Sequence, residues 1–208
     1  RVRVVPNGID LERDPPPIDL REQIGVPAGA PLVGTISRLV PQKDPLTWVA
    51  MAARVADEIP DAHFVVVGDG ALRPEVDTAV ATAGLTGRLH VVPHLPEADR
   101  ALTSLDVFAM SSVFEGAPYA PMEAMRAGVP LVLTDVAGSA DLIDDGIDGR
   151  MVPPRDADAL AAAVVEQLTA THLAEKRAVQ ALRTVAERFG GPEMGRRTRA
   201  VYEEITAR

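Results

Sequence analysis

Residues 107–133 read Val107-Phe-Ala-Met-Ser-Ser-Val-Phe-Glu-Gly-Ala-Pro-Tyr-Ala-Pro-Met-Glu-Ala-Met-Arg-Ala-Gly-Val-Pro-Leu-Val-Leu133. The stretch begins and ends with a short apolar run, and such runs are typical of buried strands. Between the runs, residues 118–127 carry apolar side chains on one side and charges on the other, which predicts a helix. The stretch is therefore a strand–helix–strand unit, from which parallel sheets with right-handed crossovers are built.

The same alternation continues on both sides of this unit. Short runs rich in Val, Ile and Leu predict strands at Leu32–Ile36, His63–Val67, Leu89–Val92, Val107–Met110 and 131–133. Amphipathic stretches predict helices at 44–58, 71–83, 98–104 and 118–127. Three more helices are predicted at 156–169, 172–188 and 192–208. Asp156 is the start signal of the first of these helices and Pro192 that of the third.

These patterns predict one doubly wound α/β domain with a parallel, Rossmann-like sheet and a helical C-terminal tail. The chain has 208 residues, of which 47% are hydrophobic, and no Gly/Ser tract or Pro-rich spacer divides it. We therefore divide the domain 1–208 into a leading segment (1–20), an α/β core (21–155) and C-terminal helices (156–208). Because the chain begins without methionine, we expect it to be a piece of a longer protein.

Composition excludes several classes of function. The net charge of −9 disfavours nucleic acid and anionic membranes, because both require a cationic surface. The chain has no cysteine, so it has no disulfide, thiolate metal site or thiol nucleophile. It has no apolar run of membrane-spanning length and no signal-peptide pattern, so we expect a cytoplasmic protein that does not insert into membranes. The four histidines lack metal-ligand spacing, and no metal or other cofactor is predicted.

Two glutamates bracket the entrance of the helix predicted at 118–127. Glu115 precedes the turn made by Gly116 and Pro118, and Glu123 lies inside the helix. In doubly wound sheets, ligands bind outside the carboxyl ends of the strands, where this loop lies. Carboxylates accept hydrogen bonds from sugar hydroxyls, and free amides at a helix start bind phosphate oxygens. The pattern therefore suits a ligand that joins a sugar, a phosphate and a ribose.

The stretch resembles the Glu-x7-Glu signature of the retaining glycosyltransferases of family 4, which have the two-domain GT-B fold. Similar motifs cover nearly the whole chain. They are Pro6-Asn-Gly-Ile-Asp10, Gly34-Thr-Ile-Ser-Arg-Leu-Val-Pro-Gln-Lys-Asp44, Val67-Gly-Asp-Gly70, Ala137-Gly-Ser-Ala-Asp141, Asp148-Gly-Arg-Met-Val-Pro-Pro154 and Val201-Tyr-Glu-Glu204. The resemblance implies the C-terminal, nucleotide-sugar-binding half of a GT-B enzyme.

The resemblance also implies roles for individual residues. Glu115 matches the residue near the hydroxyls of the transferred sugar, and Glu123 matches the residue that holds the ribose. Arg38 and Lys43 match the pair that grips the diphosphate, which an acidic protein must neutralise locally. The predicted catalytic residues are thus Glu115, Arg38 and Lys43. Besides Glu123, the predicted binding residues are Gly34, Gly68, Gly70, Ser112, Gly116, Ala117 and Pro118.

The chain departs from the family pattern in two loops. Ala137, Gly138 and Asp141 stand where two glycines and a glutamate are usual, so the carboxylate is kept on a shorter side chain. His94 follows Val92 in place of the usual glycine, which leaves the nucleobase undetermined.

The reaction implied is transfer of a hexosyl group from a nucleoside-diphosphate sugar to an acceptor hydroxyl, with retention at the anomeric carbon. The family's acceptor site belongs to an N-terminal domain for which this chain has no residues. We therefore expect the isolated chain to bind the nucleotide sugar without turning it over. Two alternatives remain open: a non-catalytic nucleotide or sugar-phosphate binding module, and a GT-B epimerase or phosphorylase.

Overall fold

Six parallel strands form one sheet in the computed structural model, which describes residues 3–13 and 16–206. The strands are β1 (Leu32–Ile36), β2 (His63–Val67), β3 (Leu89–Val92), β4 (Val107–Met110), β5 (Leu131–Thr134) and β6 (Arg150–Val152). Their order across the sheet is β3-β2-β1-β4-β5-β6. The crossover direction therefore reverses between β1 and β4, as in doubly wound folds. The predicted fold class is confirmed.

Helices connect and follow the strands. They are α1 (Leu20–Ile24), α2 (Pro45–Glu58), α3 (Arg73–Thr82), α4 (Tyr119–Arg126), α5 (Ala137–Ala140), α6 (Ala157–Thr169), α7 (Thr171–Arg188) and α8 (Gly191–Thr206), with 3-10 helices at Pro41–Lys43 and Ala98–Ser104. Asp156 caps α6, because its side chain accepts a hydrogen bond from the Ala159 amide at 2.8 Å. The last two residues of the helix predicted at 192–208 lie outside the described residues.

Both faces of the sheet are apolar, because successive side chains along a strand point to opposite faces. Along β4, Val107 and Ala109 join a buried cluster with residues of α2 and α6, whereas Phe108 and Met110 join a second cluster with residues of α4 and α7. Trp48 and the methionines at 51, 110, 122 and 125 are all buried, as their apolar positions predict. The sheet is thus a rigid layer between two helical layers.

Two partly buried histidines stack on each other across β2 and β3. The rings of His63 and His90 lie 6.1 Å apart between centroids and are nearly parallel. His63 Nδ1 and His90 Nε2 are buried and make no hydrogen bond among the described residues. Burial lowers the pKa of both imidazoles; Arg88 further lowers that of His63, and His63 further lowers that of His90.

We expect this pair to destabilise the domain in mild acid. A histidine whose pKa is lowered in the fold binds fewer protons than it does in the unfolded chain, so the free energy of unfolding falls as pH drops below about 6.5. Each histidine contributes at most about 1.4 kcal/mol per pH unit. Urea unfolding between pH 7.5 and 5 measures this slope. Replacing His63 and His90 with Gln should reduce the slope, while the control His172→Gln, at an exposed position of α7, should leave it unchanged. An equal slope in the original chain and its variants would contradict the assignment of this acid sensitivity to His63 and His90.

Within the described ranges, 3–13 and 16–206, no helix has the length and hydropathy needed to cross a membrane.

Candidate functional site

The loops after β1 and β4 flank the point where the crossover direction reverses. A groove of about 490 Å³ opens at this carboxyl edge of the sheet, beside the ends of β1, β2 and β3. Its lining includes Arg38, Lys43, Gly68 and His94. In doubly wound sheets, ligands bind outside the carboxyl ends of the strands, where this groove lies. The groove is therefore the first candidate for a ligand site.

Lys43 and Glu115 form an ion pair beside this groove. The Lys43 Nζ to Glu115 Oε1 distance is 2.5 Å, and the side chains are only 16% and 5% exposed. Since the two residues are 72 positions apart in the chain, the fold alone brings them together. The sequence predicts that Lys43 contacts the diphosphate of a ligand and Glu115 its sugar. In the structure, the two side chains contact each other.

Backbone contacts hold the two loops in place. The Val113 amide donates a hydrogen bond to the Gln42 carbonyl, and Gln42 Nε2 donates to the Phe114 carbonyl, both at 2.9 Å. Ser111 Oγ donates to the carbonyls of Lys43 and Asp44, also at 2.9 Å. These bonds fix the backbone on both sides of the ion pair, so Lys43 and Glu115 are pre-positioned.

Arg38 lies at the mouth of the groove with its side chain exposed. Among the residues that the structure describes, its guanidinium makes no ion pair or hydrogen bond. In a chain with net charge −9, an uncompensated guanidinium beside a groove attracts anions. Its planar fork matches the geometry of phosphate oxygens.

Close backbone contacts explain several of the predicted glycines. A Cβ on Gly68 would lie 2.0 Å from the Ser37 carbonyl oxygen, and one on Gly70 would lie 2.4 Å from that of Leu39. Both glycines therefore let the β2–α3 loop pack onto the segment that carries Arg38. Gly34 lies inside β1, where a Cβ would contact the side chains of Leu105 and Val65, so packing accounts for it.

The β4–α4 loop contains the remaining predicted binding residues. Ser112 is buried, and its Oγ has no hydrogen-bond partner among the described residues. Gly116 is exposed, and the carbonyl of Ala117 accepts a hydrogen bond from Asn7 Nδ2 at 3.1 Å. Pro118 is the N-cap residue of α4 and provides no side-chain hydrogen bond to the first turn. The first-turn amides of α4 therefore receive no side-chain cap from Pro118.

Gly138 supports the same loop from the other side. Its amide donates a hydrogen bond to the Glu115 carbonyl at 3.2 Å, and a Cβ here would lie 2.4 Å from the Gly116 carbonyl oxygen. The sequence marks Gly138 only as part of a family motif. Its contact with the Glu115 loop depends on the pairing of β4 with β5, which no local pattern reveals.

Glu123 lies on α4, and its carboxylate has no hydrogen-bond partner among the described residues. Burial raises the pKa of this carboxyl, the Asp99 carboxylate raises it further, and Arg126 and Arg13 act in the opposite direction. An unsatisfied, partly buried carboxylate is costly to the folded protein unless a ligand supplies hydrogen-bond donors. Glu123 is therefore chemically suited to accept hydrogen bonds from hydroxyl groups.

A second groove, of about 570 Å³, lies at the opposite edge of the sheet and is lined in part by Arg21, Asp106 and Gln167. Arg21 donates hydrogen bonds to the carbonyls of Ser104 and Ala30 and pairs with Asp106. Gln167 donates to the Leu131 carbonyl and accepts from Arg177. Because Arg21, Asp106 and Gln167 already bind other groups of the protein, they are less available to a ligand than the exposed Arg38 of the carboxyl-edge groove.

The family model of the group 1 glycosyl transferases matches residues 30–170. Among curated proteins, the 2-deoxystreptamine glucosyltransferase of Streptomyces kanamyceticus is 33% identical over 213 residues, which cover 98% of this chain and 54% of that protein. An Escherichia coli UDP-Gal:alpha-D-GlcNAc-diphosphoundecaprenol alpha-1,3-galactosyltransferase is 33% identical over 79% of this chain and 44% of its own length. The chain thus spans about half the length of these relatives.

Solved structures share the fold. Sucrose-phosphate synthase from Thermosynechococcus elongatus superposes with a TM-score of 0.88 at 26% identity, covering 99% of this chain and 53% of that one. Anabaena HepE in complex with UDP-glucose superposes with a TM-score of 0.87 at 24% identity, over 99% of this chain and 57% of that one. The domain therefore has the architecture of one half of a GT-B glycosyltransferase. With the family match over residues 30–170, the chain belongs to the group 1 glycosyl transferases.

Proposed function

We propose that this chain is the sugar-donor-binding domain of a retaining glycosyltransferase of family 4. The observation that supports the proposal is that Arg38 and Lys43 line one groove at the carboxyl edge of the sheet, and that Lys43 contacts Glu115 of the β4–α4 loop. The ligand is a nucleoside-diphosphate sugar, and the reaction transfers its hexosyl group to an acceptor hydroxyl. HepE, a neighbour with the same fold, is solved with UDP and with UDP-glucose, which supports this ligand class.

Each part of the ligand has a suitable chemical partner in the site. Arg38 and Lys43 neutralise the diphosphate, and the amides at the start of α4 extend this positive end. Glu115 accepts hydrogen bonds from hydroxyls of the transferred sugar, and Glu123 accepts them from the ribose. The binding loops, with Gly68, Gly70, Ser112, Gly116, Ala117 and Pro118, supply the backbone between these groups.

The same cations serve the chemistry of transfer. When the anomeric bond breaks, negative charge develops on the departing diphosphate. Preorganised cations beside that charge stabilise the transition state more than the ground state, which lowers the barrier. Arg38 and Lys43 carry this role, and Glu115 orients the sugar.

We further propose that transfer requires a second, N-terminal domain. The curated relatives are about twice as long as the aligned part of this chain. Phe114 and Tyr119, on the β4–α4 connection and at the start of α4, are 62% and 51% exposed, and a domain closing over this edge would cover them. The isolated chain should therefore bind the sugar donor but give no measurable transfer in a product assay. Transfer by the isolated chain would contradict this.

Isothermal calorimetry of the chain against UDP, GDP and ADP tests the proposed function. We expect binding to one nucleotide, and the Glu123→Ala and Lys43→Met variants should each weaken it at least about tenfold, because each removes a charged partner of the ligand. The control Lys176→Met, at an exposed position of α7, should bind as the original does. If the folded chain binds none of the three nucleotides, the proposal is wrong.

Glu123→Gln should stabilise the domain while weakening ligand binding. The raised pKa of Glu123 means that its ionised form is disfavoured in the fold, so a neutral amide removes a cost at pH 7. The unfolding midpoint of the variant should rise at pH 7, and the advantage should vanish in acid, where Glu123 is protonated. Nucleotide affinity should fall about tenfold, because an amide is a weaker acceptor than a carboxylate. A lower unfolding midpoint at pH 7 would show that the carboxylate is structurally satisfied.

A further inference from the structure

The ion pair between Lys43 and Glu115 occupies both groups that the proposed function assigns to the ligand. The two charged atoms are 2.5 Å apart, and Glu115 is almost fully buried. A lysine ammonium is a compact charge, so its attraction for a diphosphate falls when a carboxylate is already in contact with it. The free site therefore holds its own cation in a neutralised state.

A diphosphate and the Glu115 carboxylate compete for Lys43. Both are anions, and each gains most of its Coulomb stabilisation from close contact with the same ammonium group. If Lys43 turned to the phosphates alone, Glu115 would remain buried and uncompensated, which is costly. A hydroxyl of the transferred sugar removes this cost, because it donates a hydrogen bond to the carboxylate.

We propose that binding of the complete sugar donor exchanges the partners of this ion pair. Lys43 leaves Glu115 for the diphosphate, and Glu115 accepts hydrogen bonds from the sugar in its place. This inference rests on the proposed function and assigns a regulatory role to the same two residues. Its consequence is selectivity for the intact sugar donor over the free nucleotide, which is also the leaving group, so that the ion pair re-forms and expels the nucleotide after transfer.

The exchange predicts that one variant binds the free nucleotide more tightly than the original chain does, although the variant removes a residue of the site. Glu115→Gln removes the carboxylate that competes for Lys43, so this variant should bind the free nucleotide about tenfold more tightly than the original chain. The experiment is calorimetry with UDP, GDP and ADP, each beside UDP-glucose, GDP-mannose or ADP-glucose. For the sugar-linked ligand of the same base, affinity should rise less or fall, because the variant also loses the acceptor for sugar hydroxyls.

A double variant separates exchange from simple charge repulsion. In a Lys43→Met background, Glu115→Gln should change the affinity for the free nucleotide less than twofold, because no cation is left to release. Simple repulsion between Glu115 and the phosphates would instead give tightening in both backgrounds, and that result overturns the proposal. Weaker or unchanged nucleotide binding by Glu115→Gln alone also overturns it, since Glu115 would then hold Lys43 in place for the phosphates.

Two further measurements keep the test decisive. Thermal unfolding shows whether Glu115→Gln is folded. If it is not, Glu115→Asp is used instead; it retains the charge but loosens the contact with Lys43, and should also bind the free nucleotide more tightly.

Failure of the exchange is distinguishable from failure of the proposed function. If the original chain binds a nucleotide and Lys43→Met weakens that binding, the proposed function stands whatever Glu115→Gln does. If no nucleotide binds, both proposals are wrong.

Discussion

Arg38→Ala should reduce the affinity of the chain for its nucleoside diphosphate about 100-fold. Arg38 lies exposed at the mouth of the carboxyl-edge groove. Unlike Lys43, it has no partner among the described residues, so its full charge and its fork of N–H groups are available to the phosphates. Two charge-assisted hydrogen bonds are sufficient to account for an effect of this size. Calorimetry with the nucleotide that binds the original chain measures the change.

Two controls accompany Arg38→Ala. Arg199→Ala removes the same charge from α8, none of whose described residues is buried, so it tests whether net charge alone weakens binding. Arg38→Lys keeps the charge and removes the fork, and should recover only part of the loss. If Arg38→Ala binds as tightly as Arg199→Ala does, Arg38 has no contact with the diphosphate.

Gly68→Ala should destabilise the domain by about 3 kcal/mol and abolish measurable nucleotide binding. Gly68 has φ of +146°, a conformation that residues with a Cβ rarely adopt, and a Cβ would lie 2.0 Å from the Ser37 carbonyl oxygen. Since that oxygen is backbone, the contact is relieved only by displacing the segment that carries Arg38. Urea unfolding and calorimetry on the same preparation measure both effects.

Gly87→Ala is the matched control for Gly68→Ala. Gly87 has φ of +81°, but a Cβ at this position has no heavy atom within 4 Å. The control variant therefore includes backbone strain without a clash and lies outside the carboxyl-edge groove. We expect a loss of stability of about 1 kcal/mol and unchanged nucleotide affinity. Equal losses of affinity in both variants would mean that the β2–α3 loop does not position Arg38.

The strands were the most predictable part of the fold. β1 to β4 have the predicted bounds, because each is a mainly apolar run between polar segments; β1, β2 and β4 are almost fully buried, whereas β3 at the sheet edge is half-buried. β6 has only three residues, fewer than the apolar runs that reveal the other strands, and α1 and α5, with five and four residues, are too short to show a helical period; none of the three was predicted. The helix predicted at 98–104 is a 3-10 helix. Within it, Arg100 is bound to the leading segment: its side chain donates a hydrogen bond to the Pro16 carbonyl, and its own carbonyl accepts one from the Ile18 amide.

The sequence predicts a set of candidate site residues but not their arrangement. The family motifs single out Arg38, Lys43, Glu115 and Glu123 as candidates, and the strand pattern predicts that the loops carrying the first three lie at one edge of the sheet. The ion pair between Lys43 and Glu115 was not predictable, because it depends on which strands are neighbours. β1 lies beside β4 although two strands and two helices separate them in the chain. Because β1 and β4 are neighbours, Glu115 lies against Lys43, for which it competes with the diphosphate in the proposed exchange.

The location of the nucleotide site can be measured by an NMR titration of the amide-labelled chain with the nucleotide that calorimetry selects. The largest shifts should fall on the amides of the non-proline residues in 37–43 and 68–70, which line or flank the carboxyl-edge groove, and in 115–123, the segment that carries Glu115 and Glu123. The groove at the opposite edge, beside Arg21, Asp106 and Gln167, should show almost none. Saturable shifts concentrated at that opposite groove, with residues 37–43 and 115–123 unchanged, would contradict the assignment of the binding site.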